Sequence, residues 1–159
     1  MPALIEKMTE SLNDSDPQRR LLCASWYLQC CERWQADMKP VIDVIEARLS
    51  KGDMQDRELV IDVLISSEKL GNSTIKLLCL LLSHSNSIVR ESAKKGLEKL
   101  QRSDAFDLVA SYFVNELSLV IQKDNEKAKE IAKELLKECQ NQKREVISPV
   151  LLPLLSSED

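Results

Sequence analysis

Apolar residues recur three and four positions apart along nearly the whole chain. Short polar clusters break the pattern at Asn13-Asp14-Ser15-Asp16, Lys51-Gly52-Asp53, Ser83-His84-Ser85-Asn86 and Lys123-Asp124-Asn125. That period is helical, and the clusters carry helix start and stop residues. The pattern predicts helices over 2–12 and 17–34, with Asp16 as N-cap and Pro17 at the first helical position, where a missing N–H costs nothing. A third helix opens at Asp37 or Met38, ahead of Pro40, and closes at Gly52, and Asp53 caps a fourth over 55–70. Helices over 73–83 and 87–101 follow. Ser103-Asp104 caps a long seventh that reaches about residue 122, and Asn125 caps an eighth over 126–139.

One phrase recurs. Ile88-Val89-Arg90-Glu91-Ser92-Ala93 follows the polar turn residue Asn86, so that a cap, a base four positions on and a small residue three further stand in fixed register. Asp16, Arg20 and Cys23 repeat it. So do Asp53, Arg57 and Val60, and Asn125, Lys129 and Ala132. The steps between the bases are 37 (20 to 57), 33 (57 to 90) and 39 (90 to 129). Unequal steps of this size suit paired helices joined by loops of differing length, and exclude a β-helix or collagen period. A pair of short amphipathic helices cannot bury its faces alone, so it must stack on a neighbour. Residues 150–159 read as the first half of a fifth repeat, so the chain is expected to be a piece of a longer one.

The segment 77–100 resembles a HEAT repeat, with armadillo repeats as the near alternative, and the other three copies match more weakly. The resemblance implies an all-α fold: a right-handed α-solenoid of about four and a half HEAT-like helix pairs, one domain over 1–159, with the second helix of each pair lining a concave binding face. It also implies that Asp16, Asp53, Asn86 and Asn125 bond toward the base of an adjacent repeat, among Arg20, Arg57, Arg90 and Lys129. Ankyrin and tetratricopeptide arrays have similar periods, but their signature residues are missing.

Composition narrows the function. With 43% apolar residues, 159 residues can bury a sizeable core, and three Gly and five Pro leave few turns for a sheet. A formal charge of −4 argues against nucleic acid, whose phosphates need clustered Lys and Arg. No apolar stretch reaches a membrane-spanning length and no signal pattern opens the chain, so no membrane partner and a cytoplasmic or nuclear location are expected. Cys23, Cys30, Cys31, Cys79 and Cys139 lie mostly on apolar faces and read as reduced structural thiols. They lack the paired spacing of a zinc site, so no metal and no cofactor are expected. The turn carboxylates have no companion nucleophile, and the single histidine, His84, falls in a turn where exposure is expected, so the chain is read as non-catalytic.

A protein-interaction scaffold is the function these features favour, its partner a helical or extended segment of another protein. Against the charged outer faces of the third and fourth copies, the first two carry apolar residues at the equivalent positions. Leu21, Leu28, Cys31, Ile61 and Ile65, with Trp34 on the same helix as the first three, form a candidate partner-binding stripe. The alternative is that this helix is apolar all round because it is buried. Trp26 aligns with Gly96, a packing position, and is expected in the core. A second function within the resemblance is a tubulin-binding array of the TOG type, although the four turns lack the Trp and the positive charge that such arrays present.

Overall fold

Four polar clusters end in a residue whose side chain caps the next helix. Asp16 Oδ1 accepts from the Gln18 N–H at 2.9 Å and Asp53 Oδ1 from that of Asp56 at 2.8 Å. Asn86 Oδ1 accepts from the Ile88 N–H at 2.9 Å and Asn125 Oδ1 from that of Ala128 at 3.1 Å. Each satisfies an amide that the first helical turn leaves without an intrahelical partner, worth about 1 kcal/mol. The computed structural model describes residues 2–66 and 71–142. Those residues form eight α-helices and no strand: α1 (Pro2–Ser11), α2 (Pro17–Trp34), α3 (Lys39–Lys51), α4 (Met54–Ile65), α5 (Asn72–Leu81), α6 (Ser87–Gln101), α7 (Phe106–Gln122) and α8 (Glu126–Gln142).

Two helices depart from the sequence pattern. α4 ends at Ile65 because Ser66 turns extended, with ψ 130°; the rest of the expected 55–70 helix lies outside the described residues, as does the half-repeat at 150–159. α7 starts after Ala105, not at a Ser103-Asp104 cap. The Ser103 hydroxyl donates to the Leu100 carbonyl at 2.8 Å, which ties it to the end of α6, and the Phe106 N–H reaches the Ser103 carbonyl at 3.2 Å.

The turns before α2 and α6 share one construction. In each, the residue two before the cap accepts the cap's own N–H, Asp14 Oδ1 from Asp16 at 2.8 Å and His84 Nδ1 from Asn86 at 2.9 Å. Backbone bonds match as well: Asn13 and Asp14 donate to Glu10 and Ser11, and Ser83 and His84 donate to Leu80 and Leu81. His84 is therefore half-buried and engaged, and not a free side chain on an exposed turn.

The described chain falls into two compact units, divided between Leu77 and Leu78 within α5. In the first, α2 packs on α1, α3 and α4, and α3 packs on α4. In the turn between α3 and α4, a Cβ on Gly52 would stand 2.7 Å from the Arg48 carbonyl oxygen and 2.8 Å from the Asp56 Cβ, so glycine lets the turn pass. In the second unit α8 packs on both α6 and α7. Phe106 and Phe113 meet edge to face with centroids 5.1 Å apart, and the buried Gln101 Nε2 donates to the Leu135 carbonyl at 2.7 Å. In both units, then, the second helix of one pair touches the second helix of the next: α2 with α4, and α6 with α8.

The repeated bases do not bond as the HEAT resemblance implies. Arg57 Nη1 donates to the Gly52 carbonyl at 2.8 Å, and Arg90 Nη1 to the carbonyls of His84 at 2.6 Å and Ser85 at 2.8 Å, so each holds its own turn. Lys129 pairs with Glu126 at 3.0 Å. The cap side chains are occupied by amides of their own helices. Links between consecutive pairs include Arg48, which donates to the Pro17 carbonyl at 2.8 Å, Asn125 Nδ2, 3.5 Å from the Ser83 carbonyl oxygen, and, from α6 and its C-cap residue to α8, Gln101 with the Leu135 carbonyl, Arg102 with Glu138 and Lys94 with Glu134.

Candidate partner-binding surfaces

A helix that packs on three neighbours presents a narrow outward face, and α2 is such a helix. Its buried side covers Leu21, Ala24, Ser25, Tyr27, Leu28, Cys30 and Cys31. Of the stripe predicted to meet a partner, Leu21 is 1%, Leu28 2%, Cys31 6% and Ile61 3% exposed, while Trp34 and Ile65 are half-buried. The four buried members are core, and no partner reaches them while the unit stays folded. The second sequence alternative, a helix buried over much of its circumference, describes α2 correctly.

The error is one of rotation. Measured from Arg90, α6 buries the residues one before it and two, three, six, seven, ten and eleven after it; α8 buries those one before and three, six, seven and ten after Lys129. α2, measured from Arg20, buries the residues one, four, five, seven, eight, ten and eleven after it. Its arc is turned by about one residue, or roughly 100°. Trp26, aligned with buried Gly96, therefore comes out 59% exposed, and Leu22 one turn before it is 48% exposed. Arg19 and Arg33 lie on the same face, at i−3 from Leu22 and i+7 from Trp26. Arg33 also stacks its guanidinium 5.4 Å from the Trp34 ring centroid.

On the other side of α2 runs a groove of about 860 Å³, floored by Leu12 and Leu21 and walled by α3. One α3 face lines it from Lys39 and Pro40 through Asp43, Val44, Ala47 and Arg48 to Lys51, the i, i+4 spacing of a single helix side. The buried face of α3, Val41, Ile45 and Leu49, points elsewhere. At one end Lys39 Nζ donates to Asp43 Oδ1 at 2.6 Å, which holds the ammonium pKa up, and the Lys39 N–H donates to Asp37 Oδ1 at 3.0 Å. At the other end Arg48 is held by the Pro17 carbonyl and lies 3.6 Å from Asp56 Oδ1. Arg20 and Lys51 line this end with no side-chain partner among the described residues.

Among the described residues no group of three or more His, Cys, Asp or Glu side chains is placed to hold a metal, and no helix is long and apolar enough to cross a membrane. The five cysteines are free thiols; four are buried and Cys23 is half-buried. Burial pushes the Cys31 thiol up to about 11, and raises Cys23, Cys30 and Cys79 from the usual thiol value, so thiolate is scarce at neutral pH.

No known protein family, curated protein or solved structure matches the chain. What can be said of its class is that the described chain is all-helical.

Proposed function

We propose that the chain is a non-catalytic scaffold, a right-handed solenoid of HEAT-like helix pairs, that holds a segment of another protein against the outward face of α2. The pairing supports it: two turns of identical construction, four capped second helices, and second helices in contact within each unit. Stacked pairs of this kind produce lateral surfaces and few concave pockets for small substrates. The observation that carries the site is the exposure of Leu22 and Trp26 on consecutive turns of a helix otherwise packed on three neighbours. Tryptophan supplies large contact area at low entropic cost, and Arg19 and Arg33 give the apolar pair a charged rim. Free thiols throughout suit a cytoplasmic or nuclear setting.

Affinity capture from cell extract with the unaltered chain, with Leu22→Glu/Trp26→Glu and with Leu108→Glu tests this. Leu108 is also exposed but stands on α7. Proteins lost only with the α2 variant, at unchanged circular dichroism, support the site. A capture set that both variants retain or both lose removes it. Co-pelleting of the unaltered chain with microtubules would transfer the function to the tubulin-binding alternative.

A further inference from the structure

The repeated base behaves differently in its first copy. Arg57 and Arg90 are committed to carbonyls of their own turns, but before α2 no such bond ties the Arg20 side chain among the described residues; the neighbouring Arg19 lies beside the turn's carboxylates instead, its guanidinium 3.6 Å from that of Asp16 and 3.9 Å from that of Asp14. Arg20 lines the groove. Its floor, Leu12 and Leu21, is buried, and Val44 and Ala47 supply apolar surface along the α3 wall.

Charge along the groove is unequal. Lys39 cancels Asp43 at the α3 N-terminal end, where Asp37 adds a negative charge. Arg48 is matched by Asp56 at the other end, and Arg20 and Lys51 remain, two positive charges without ion-pair partners among the described residues. From Lys39 to Lys51 the α3 wall runs about 18 Å, at 1.5 Å per residue. An extended peptide at about 3.3 Å per residue covers that length with five or six residues.

We infer that the groove between α2 and α3 binds an extended acidic segment of a partner protein, its apolar side chains on Val44 and Ala47 and a carboxylate between Arg20 and Lys51. This is a second contact, separate from the outward face of α2, and stands whether or not that face is used. The unequal ends set the direction of the segment: its acidic residue lies at the Arg20 end and away from Asp37. Arg20 presents a fork of donors and Lys51 a point charge, the pair of cations that holds a carboxylate in place while the apolar wall holds its neighbours.

The test is fluorescence anisotropy on the full chain, with a labelled synthetic peptide of about eight residues that intersperses Glu with Leu and Ser, and a twin carrying Gln for Glu. Binding of the Glu peptide about tenfold tighter than its twin, weakened by salt, is expected. Arg20→Gln/Lys51→Gln should remove that preference, while Leu22→Glu/Trp26→Glu leaves it intact. Ala47→Glu, at an exposed position, should weaken the Glu peptide too, and carries the test if the double Gln variant fails to fold. Equal binding of the two peptides, no binding up to about millimolar concentration, or indifference to Ala47→Glu overturns the inference. So does inorganic phosphate displacing the Glu peptide at concentrations where it binds by itself, which would make this a site for an adventitious ion only.

Discussion

Replacing Leu28 and Trp26 by alanine, one at a time, separates a core helix face from a working surface. Leu28 is 2% exposed on the face that α2 turns toward its neighbours; Trp26, two residues earlier, is 59% exposed. Truncating Leu28 removes three carbon atoms from a site that solvent does not reach. Transfer alone costs roughly 2.4 kcal/mol at about 0.8 kcal/mol per buried carbon, and incomplete collapse of the cavity brings the loss to about 2–5 kcal/mol. Trp26→Ala leaves no comparable cavity and should cost under about 1 kcal/mol, offset in part by the better helix propensity of alanine. Both tryptophans lie in the first compact unit, so tryptophan fluorescence during urea unfolding reports on that unit even if the two units melt separately. With a slope near 2 kcal/mol per molar urea, Leu28→Ala should lower the midpoint by about 1–2.5 M, and Trp26→Ala, followed through Trp34, by less than about 0.5 M. Equal shifts, or the larger one for Trp26, would refute the assigned rotation of α2 and return Leu21, Leu28 and Cys31 to the list of surface candidates.

Loss of the α6 cap gives a second measurement. Asn86→Ala removes the acceptor for the Ile88 N–H and should destabilise the chain by about 1 kcal/mol, read as a drop in melting temperature, while Asn86→Asp keeps the acceptor and should be near neutral. The thiols give a pH dependence. Because burial raises Cys31 to about 11 from 9.0, the folded state holds its proton where the unfolded state has lost it; its contribution to stability is complete below about pH 9 and declines toward pH 11. A urea midpoint that stays level through that window would contradict the burial of Cys31. Iodoacetamide at neutral pH should label half-buried Cys23 first, and Cys79 only in denaturant; prompt labelling of Cys79 would show that its site opens.

The parts of the structure that the sequence announces are those fixed by local chemistry. Asp16, Asp53, Asn86 and Asn125 cap their helices because a short acceptor before an amphipathic run has one nearby set of orphan amides to satisfy, and nothing remote alters that. Rotation of a helix about its axis is not local. The repeat alignment placed Arg20 over Arg90 and so transferred to α2 the packing face of α6, but Arg19 binds the turn before α2 where buried Val89 stands before Arg90. A signal for this was present: an arginine three and five residues after two turn carboxylates, Asp16 and Asp14, is a poor candidate for a buried position, and placing Arg19 outward turns Leu22 and Trp26 outward with it. The Arg20 side chain makes no bond to its own turn among the described residues, where Arg57 and Arg90 do, and it adds a second positive charge to that of Lys51 at the basic end of the groove beside α3.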